Sequence, residues 1–136
     1  MVKKIDHLGI AVRDSAEALK FYAEALGIQP THQEVVADQG VKVTFLPVGQ
    51  STLELVEPIN PNSATAKFIE TRGEGIHHIC LEVEDIASVL KGLAEKGVNL
   101  IDKEPRKGAH GKQVAFIHPK STKGVLLELA EPAEEH

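Results

Sequence analysis

At 136 residues the chain has the length of one domain, and a domain of this size buries roughly two thirds of its unfolded surface. A net charge of −5, with acids and bases interspersed, and an aromatic content of 4% argue against a nucleic-acid binder, which needs a basic face and stacking platforms. No run approaches the ~20 apolar residues of a membrane span, and MVKKIDH enters a strand with no secretory leader before it. The lone Cys80 cannot close an internal disulfide and suits a reducing compartment. The expectation is a cytoplasmic protein acting on a small molecule, with no nucleic-acid or membrane partner.

Residues 2–12 alternate into a strand, with Ile5, His7, Gly9 and Ala11 on one face and Leu8, Ile10 and Val12 on the other. Asp14 or Ser15 caps a helix whose apolar stripe is Ala16, Leu19, Phe21, Tyr22, Ala23 and Leu26. Gly27 ends that helix. Strands are predicted near 31–37, 41–48 and 51–57, with turns at Asp38-Gln39-Gly40 and Gly49-Gln50-Ser51. A bridge, 59–74, carries a short helix capped by Asn62-Ser63, with Ala64, Ala66, Phe68 and Ile69 on its apolar side.

The order then repeats. A strand over 75–83 leads to a helix over 85–96 with apolar Ile86, Val89, Leu90 and Leu93, ended by Gly97 as Gly27 ended the first. Strands at 98–102, 112–118 and 124–131 complete the copy, and the acidic tail over 130–136 reads as a solvated end. Residues 1–136 thus form one domain of two modules, about 2–58 and 75–132. A βαβββ unit cannot close its own sheet, so the fold class is α+β: two tandem βαβββ modules forming a curved mixed sheet.

The copies also match in chemistry. IDHLGIAV (5–12) aligns with IHHICLEV (76–83), bringing His7 onto His78. ELVEP (54–58) aligns with ELAEP (128–132), bringing Glu54 onto Glu128. By strand parity His7 shares a face with Gly9 and Ala11, and His78 with Cys80 and Glu82, whereas His77 points the other way. Both glutamates alternate with leucines that look buried. Buried carboxylates need a counter-charge, and a divalent cation held by His7, Glu54, His78 and Glu128 would supply it at the centre of the fold. The nitrogen and oxygen donors admit Co, Mn, Zn, Ni or Fe.

Together DHLGIAV (6–12), SATAKFIETRGEG (63–75), GEGIHHI (73–79), EPRKGAHG (104–111) and HPKSTKGVLLEL (118–129) resemble the methylmalonyl-CoA epimerase family of the vicinal oxygen chelate superfamily. The resemblance spans nearly the whole chain. It implies a homodimeric isomerase that interconverts (2R)- and (2S)-methylmalonyl-CoA by abstracting the C2 proton, with a divalent metal, cobalt foremost, stabilising the resulting enolate. It places the metal ligands on His7, Glu54, His78 and Glu128. Some members carry a proposed catalytic glutamate where this chain has Val43, so Glu128 is expected to act as both ligand and base. Lys120 and Ser121 are candidates for the substrate's carboxylate, and Lys103, Arg106, Lys107 and Lys112 for the CoA phosphates. A glyoxalase-I-like isomerase and a metal-free small-molecule-binding protein of the same fold are the alternatives.

Overall fold

The computed structural model describes residues 1–133. The final part of the acidic tail read as a solvated end, residues 134–136, lies outside the described residues. Two compact units emerge, one His7–His77 and the other Met1–Asp6 with His78–His136.

The first unit is built on β1 (Val2–Ala11, from His7 onward), β2 (Gln33–Val36), β3 (Val41–Val48) and β4 (Ser51–Pro58). Its strand order is β2-β3-β4-β1, antiparallel except where β1 lies parallel to β4. Gly49, at φ 61°, permits the two-residue turn joining β3 to β4. Helix α1 (Ser15–Leu19) begins where the Asp14 carboxylate accepts the Ala16 and Glu17 N–H groups at 2.9 and 3.3 Å.

Beyond Leu19 the helix departs from expectation. It widens into a π-helix over Lys20–Ala25, where the Leu26 N–H donates to the Phe21 carbonyl at 2.9 Å. An i→i+5 turn holds more residues than an α-turn and rotates those after it. Ala18, Leu19 and Tyr22 still pack with Ile10, Leu53 and Ile28 against Val12, Leu46 and Leu55. Phe21 and Leu26, predicted in the stripe, are exposed. In the bridge, α2 (Ala64–Arg72) starts as predicted, with Ser63 Oγ accepting the Ala66 N–H at 3.1 Å.

The second unit contains β5 (Gly75–Val83, from His78 onward), β6 (Arg106–Lys107), β7 (Gln113–Ile117) and β8 (Leu127–Glu131). The order is β5-β8-β7-β6, with β5 parallel to β8. Helix α3 (Ile86–Glu95), capped by Asp85, packs Ile86, Val89, Leu90 and Leu93 against Val83, Ala115, Ile117 and Leu129.

The strand predicted over 98–102 does not form. Asp102 Oδ2 accepts the Phe116 N–H at 2.9 Å, taking a donor that a backbone carbonyl would hold in a ladder. Only an isolated bridge, Leu100 to Ile117, remains there, and the strand beside β7 is β6 instead. The last strand begins at Leu127, not 124. Before it the chain makes a 3₁₀ turn at Pro119–Ser121, and the Gly124 N–H closes back on the Pro119 carbonyl at 2.8 Å.

Both units fasten their helix in the same way. Glu57 Oε1 accepts the Ser15 N–H at 2.7 Å and the Ser15 hydroxyl at 2.8 Å, and Glu131 Oε1 accepts the Ile86 N–H at 2.9 Å. Glu57 and Glu131 are the second glutamates of ELVEP and ELAEP. Each places a carboxylate at a helix N-terminus, where the unpaired N–H groups and the helix dipole favour an anion.

Candidate metal centre

In the first unit, β1 pairs Gly9 with Glu54 while β3 pairs Phe45 with Glu54. Register partners share a sheet face, so Glu54 stands between a phenyl ring and a position with no side chain. The space above Gly9 admits the His7 imidazole from one pleat away. His7 Nδ1 lies 3.0 Å from Glu54 Oε2, with both side chains buried.

The second unit repeats this arrangement. Cys80 and Phe116 flank Glu128 in register, in the places of Gly9 and Phe45. His78 Nε2 lies 3.1 Å from Glu128 Oε1, again with both groups buried, and the His78 ring meets Phe116 edge-on at 5.7 Å between centroids. His77 is only half-buried and packs edge-on with Phe68 at 4.9 Å. The parity argument thus separates His78 from its neighbour correctly.

These pairs fit a divalent cation. Donors bound at about 2.1 Å and at right angles to one another lie about 3.0 Å apart, the spacing found in both units. An N–H···O hydrogen bond has the same length, so distance alone does not choose between them. The same imidazole–carboxylate pair recurs at the same place in both modules. Each pair offers one nitrogen and one oxygen, donors of the kind cobalt, manganese, nickel and zinc accept.

The remaining sequence candidates are placed outside this pairing. Ser121 Oγ accepts the Asn99 N–H at 2.8 Å, so it fastens the turn before β8. Lys120 is exposed, and its own N–H donates to His118 Nδ1 at 3.0 Å. The Arg106 guanidinium lies over the Phe116 ring at 5.5 Å, with its Nε 3.5 Å from Asp102 Oδ2. Lys112, expected with Lys103, Arg106 and Lys107 to meet phosphates, is instead paired with a carboxylate. Its ammonium lies 2.9 Å from both oxygens of Asp6.

Asp6 is the residue the sequence reading missed. Strand alternation put Ile5 on the face of His7, but Ile5 is exposed while Asp6 and His7 are both buried. Two consecutive buried polar residues break the period of two, and no periodic signal marks that break.

The model of the Glyoxalase/Bleomycin resistance protein/Dioxygenase superfamily matches residues 6–116. The chain belongs to that superfamily. Within it, the chain is 39% identical to the ethylmalonyl-CoA/methylmalonyl-CoA epimerase of Cereibacter sphaeroides, over 96% of this chain and 99% of that protein. It is 44% identical to an uncharacterised Bacillus subtilis protein, YqjC, over 96% and 94% of the two chains. A solved structure of a Streptomyces coelicolor methylmalonyl-CoA epimerase variant with 2-nitronate-propionyl-CoA superimposes with a TM-score of 0.94. It is 37% identical, and the match covers 98% of this chain and 96% of that one. These likenesses make the chain an isomerase of the epimerase kind. The α+β fold expected of paired βαβββ modules is that of the superfamily. Among the described residues no helix is long and apolar enough to cross a membrane.

Proposed function

We propose that this chain is a metal-dependent methylmalonyl-CoA epimerase in which His7, Glu54, His78 and Glu128 hold one divalent ion, cobalt foremost. The observation that carries the reading is the duplicated, buried imidazole–carboxylate pair, at 3.0 Å in one unit and 3.1 Å in the other. The epimerase relatives support the proposed substrate, a CoA thioester with a carboxyl group on C2. We further propose a cytoplasmic homodimer in which 1–136 acts as one domain.

A bound cation would supply Lewis-acid stabilisation of the negative charge that develops on the thioester oxygen as the C2 proton leaves. The protein's own part is to place a base beside that proton. Glu128 serves, because Leu127 and Leu129 fix its strand and Phe116 shields one side of its carboxylate from water. His78 Nε2, 3.1 Å away, is its neighbour in the proposed shell. Lys120 is assigned to the substrate's free carboxylate, with Ser121 shaping the turn that presents it. Arg106, held over Phe116, is assigned to a CoA phosphate, a group that guanidinium binds well.

Proton NMR of methylmalonyl-CoA in deuterated water tests the reading. The C2 proton signal should disappear in the presence of protein and cobalt, and persist after chelation. Persistence with a fully metallated protein would refute the activity. Saturable binding of small molecules without metal would instead favour a binding protein of this fold.

A further inference from the structure

Asp6 and Lys112 form the best-buried lysine–carboxylate pair among the described residues, with side chains 8% and 21% exposed. They are 106 positions apart in sequence and lie in the same unit. Removing both charges from water costs more than an ordinary surface pair returns, so the pair calls for a reason. Its surroundings supply one. An Asp6 carboxylate oxygen lies within 4.8 Å of Cys80 Sγ, and Cys80 is the register partner of Glu128. In sequence Asp6 directly precedes His7. A third carboxylate is therefore placed beside the proposed ion-binding groups, and it is a hard oxygen donor of the kind such ions accept.

The loop that delivers Lys112 is shaped for the purpose. His110 and Gly111 both have positive φ, 60° and 70°. The Gly108 N–H donates to the Lys112 carbonyl at 2.9 Å, and the Lys112 N–H donates to the Ala109 carbonyl at 3.2 Å. At Gly108 an added Cβ would meet Val114 Cγ1 at 2.7 Å, so the loop lies directly on β7. The ammonium thus comes from a tight, bonded turn and engages both Asp6 oxygens at once.

We propose that Lys112 is a positioning residue that withholds Asp6 from the cation and so leaves the metal shell to His7, Glu54, His78 and Glu128. The inference rests on the metal reading given above. With both oxygens engaged, Asp6 neither competes with Glu128 for a coordination position nor adds an uncompensated negative charge where an anionic substrate must enter.

Cobalt(II) absorption and metal titration test it on the full chain. In Lys112→Met the released carboxylate should join the shell, shifting the visible cobalt bands and tightening manganese binding by about tenfold, as an added anionic ligand does. Asp6→Asn/Lys112→Met should return both to wild-type values. Asp6→Asn alone leaves the Lys112 ammonium unpaired and should weaken metal binding, since like charges repel. Lys112→Gln covers the case in which the methionine variant does not fold, and should show the same band shift. Unchanged cobalt bands in both Lys112 variants would overturn the proposal. Loss of cobalt in Asp6→Asn/Lys112→Met would overturn it too, by making Asp6 a ligand. Wild-type protein that binds no cobalt would sink the metal reading and this inference together; wild-type binding with indifferent Lys112 variants would sink this inference alone.

Discussion

Glu128 and Glu54 occupy matching places, yet the proposed chemistry asks more of one than of the other. Glu128→Gln keeps the shape and removes the base, so exchange of the C2 hydrogen with solvent should fall by about 10²–10⁴-fold, with circular dichroism unchanged. Normal exchange in that variant would refute the role of Glu128. Glu54→Gln keeps an oxygen donor and loses a charge; metal affinity should drop, read by cobalt titration, while any exchange at saturating metal is largely retained. All four proposed ligands were legible in the sequence, because the repeat aligned them and strand parity separated His78 from His77. Asp6 was not. Its burial depends on a local break in alternation, and its partner Lys112 lies 106 residues away, beyond the reach of any local pattern.

The helix attachments carry the next prediction. Glu57 satisfies both the backbone N–H and the hydroxyl of Ser15, which is fully buried. Glu57→Ala would leave those two groups without their acceptor, at a cost of about 1–3 kcal/mol, measurable as a lowered midpoint in urea. An unchanged midpoint would mean that water replaces the carboxylate. Gly108→Ala should destabilise by about 1–3 kcal/mol through its clash with Val114. Element existence and order were readable from periodicity and caps, as at Asp14 and Ser63. The failures have local causes. The Asp102 side chain intercepts a ladder donor and suppresses the strand predicted over 98–102. The π-turn after Leu19 moves Leu26 off the stripe that a period of 3.6 assigns it, whereas Phe21, two residues beyond Leu19, falls on the opposite side of any such helix and was misassigned.

For the chain as a whole, a cation bound only by the folded state should raise stability by mass action. Chelation should therefore lower the thermal midpoint, and added cobalt should restore it. Metal ligands must shed protons before they bind, so metal affinity should rise as pH increases from acid toward neutral. A cobalt titration repeated at three pH values checks the sign; affinity that rises on acidification would contradict the ligand set. The twofold character of the chain was the most legible feature of all, because duplication copies pattern and chemistry together. The glutamates at the ends of the two copies add one more consequence. Each secures the helix of its own half, never that of its counterpart, so a half-length ancestor would have needed no new fastening when its gene was copied end to end.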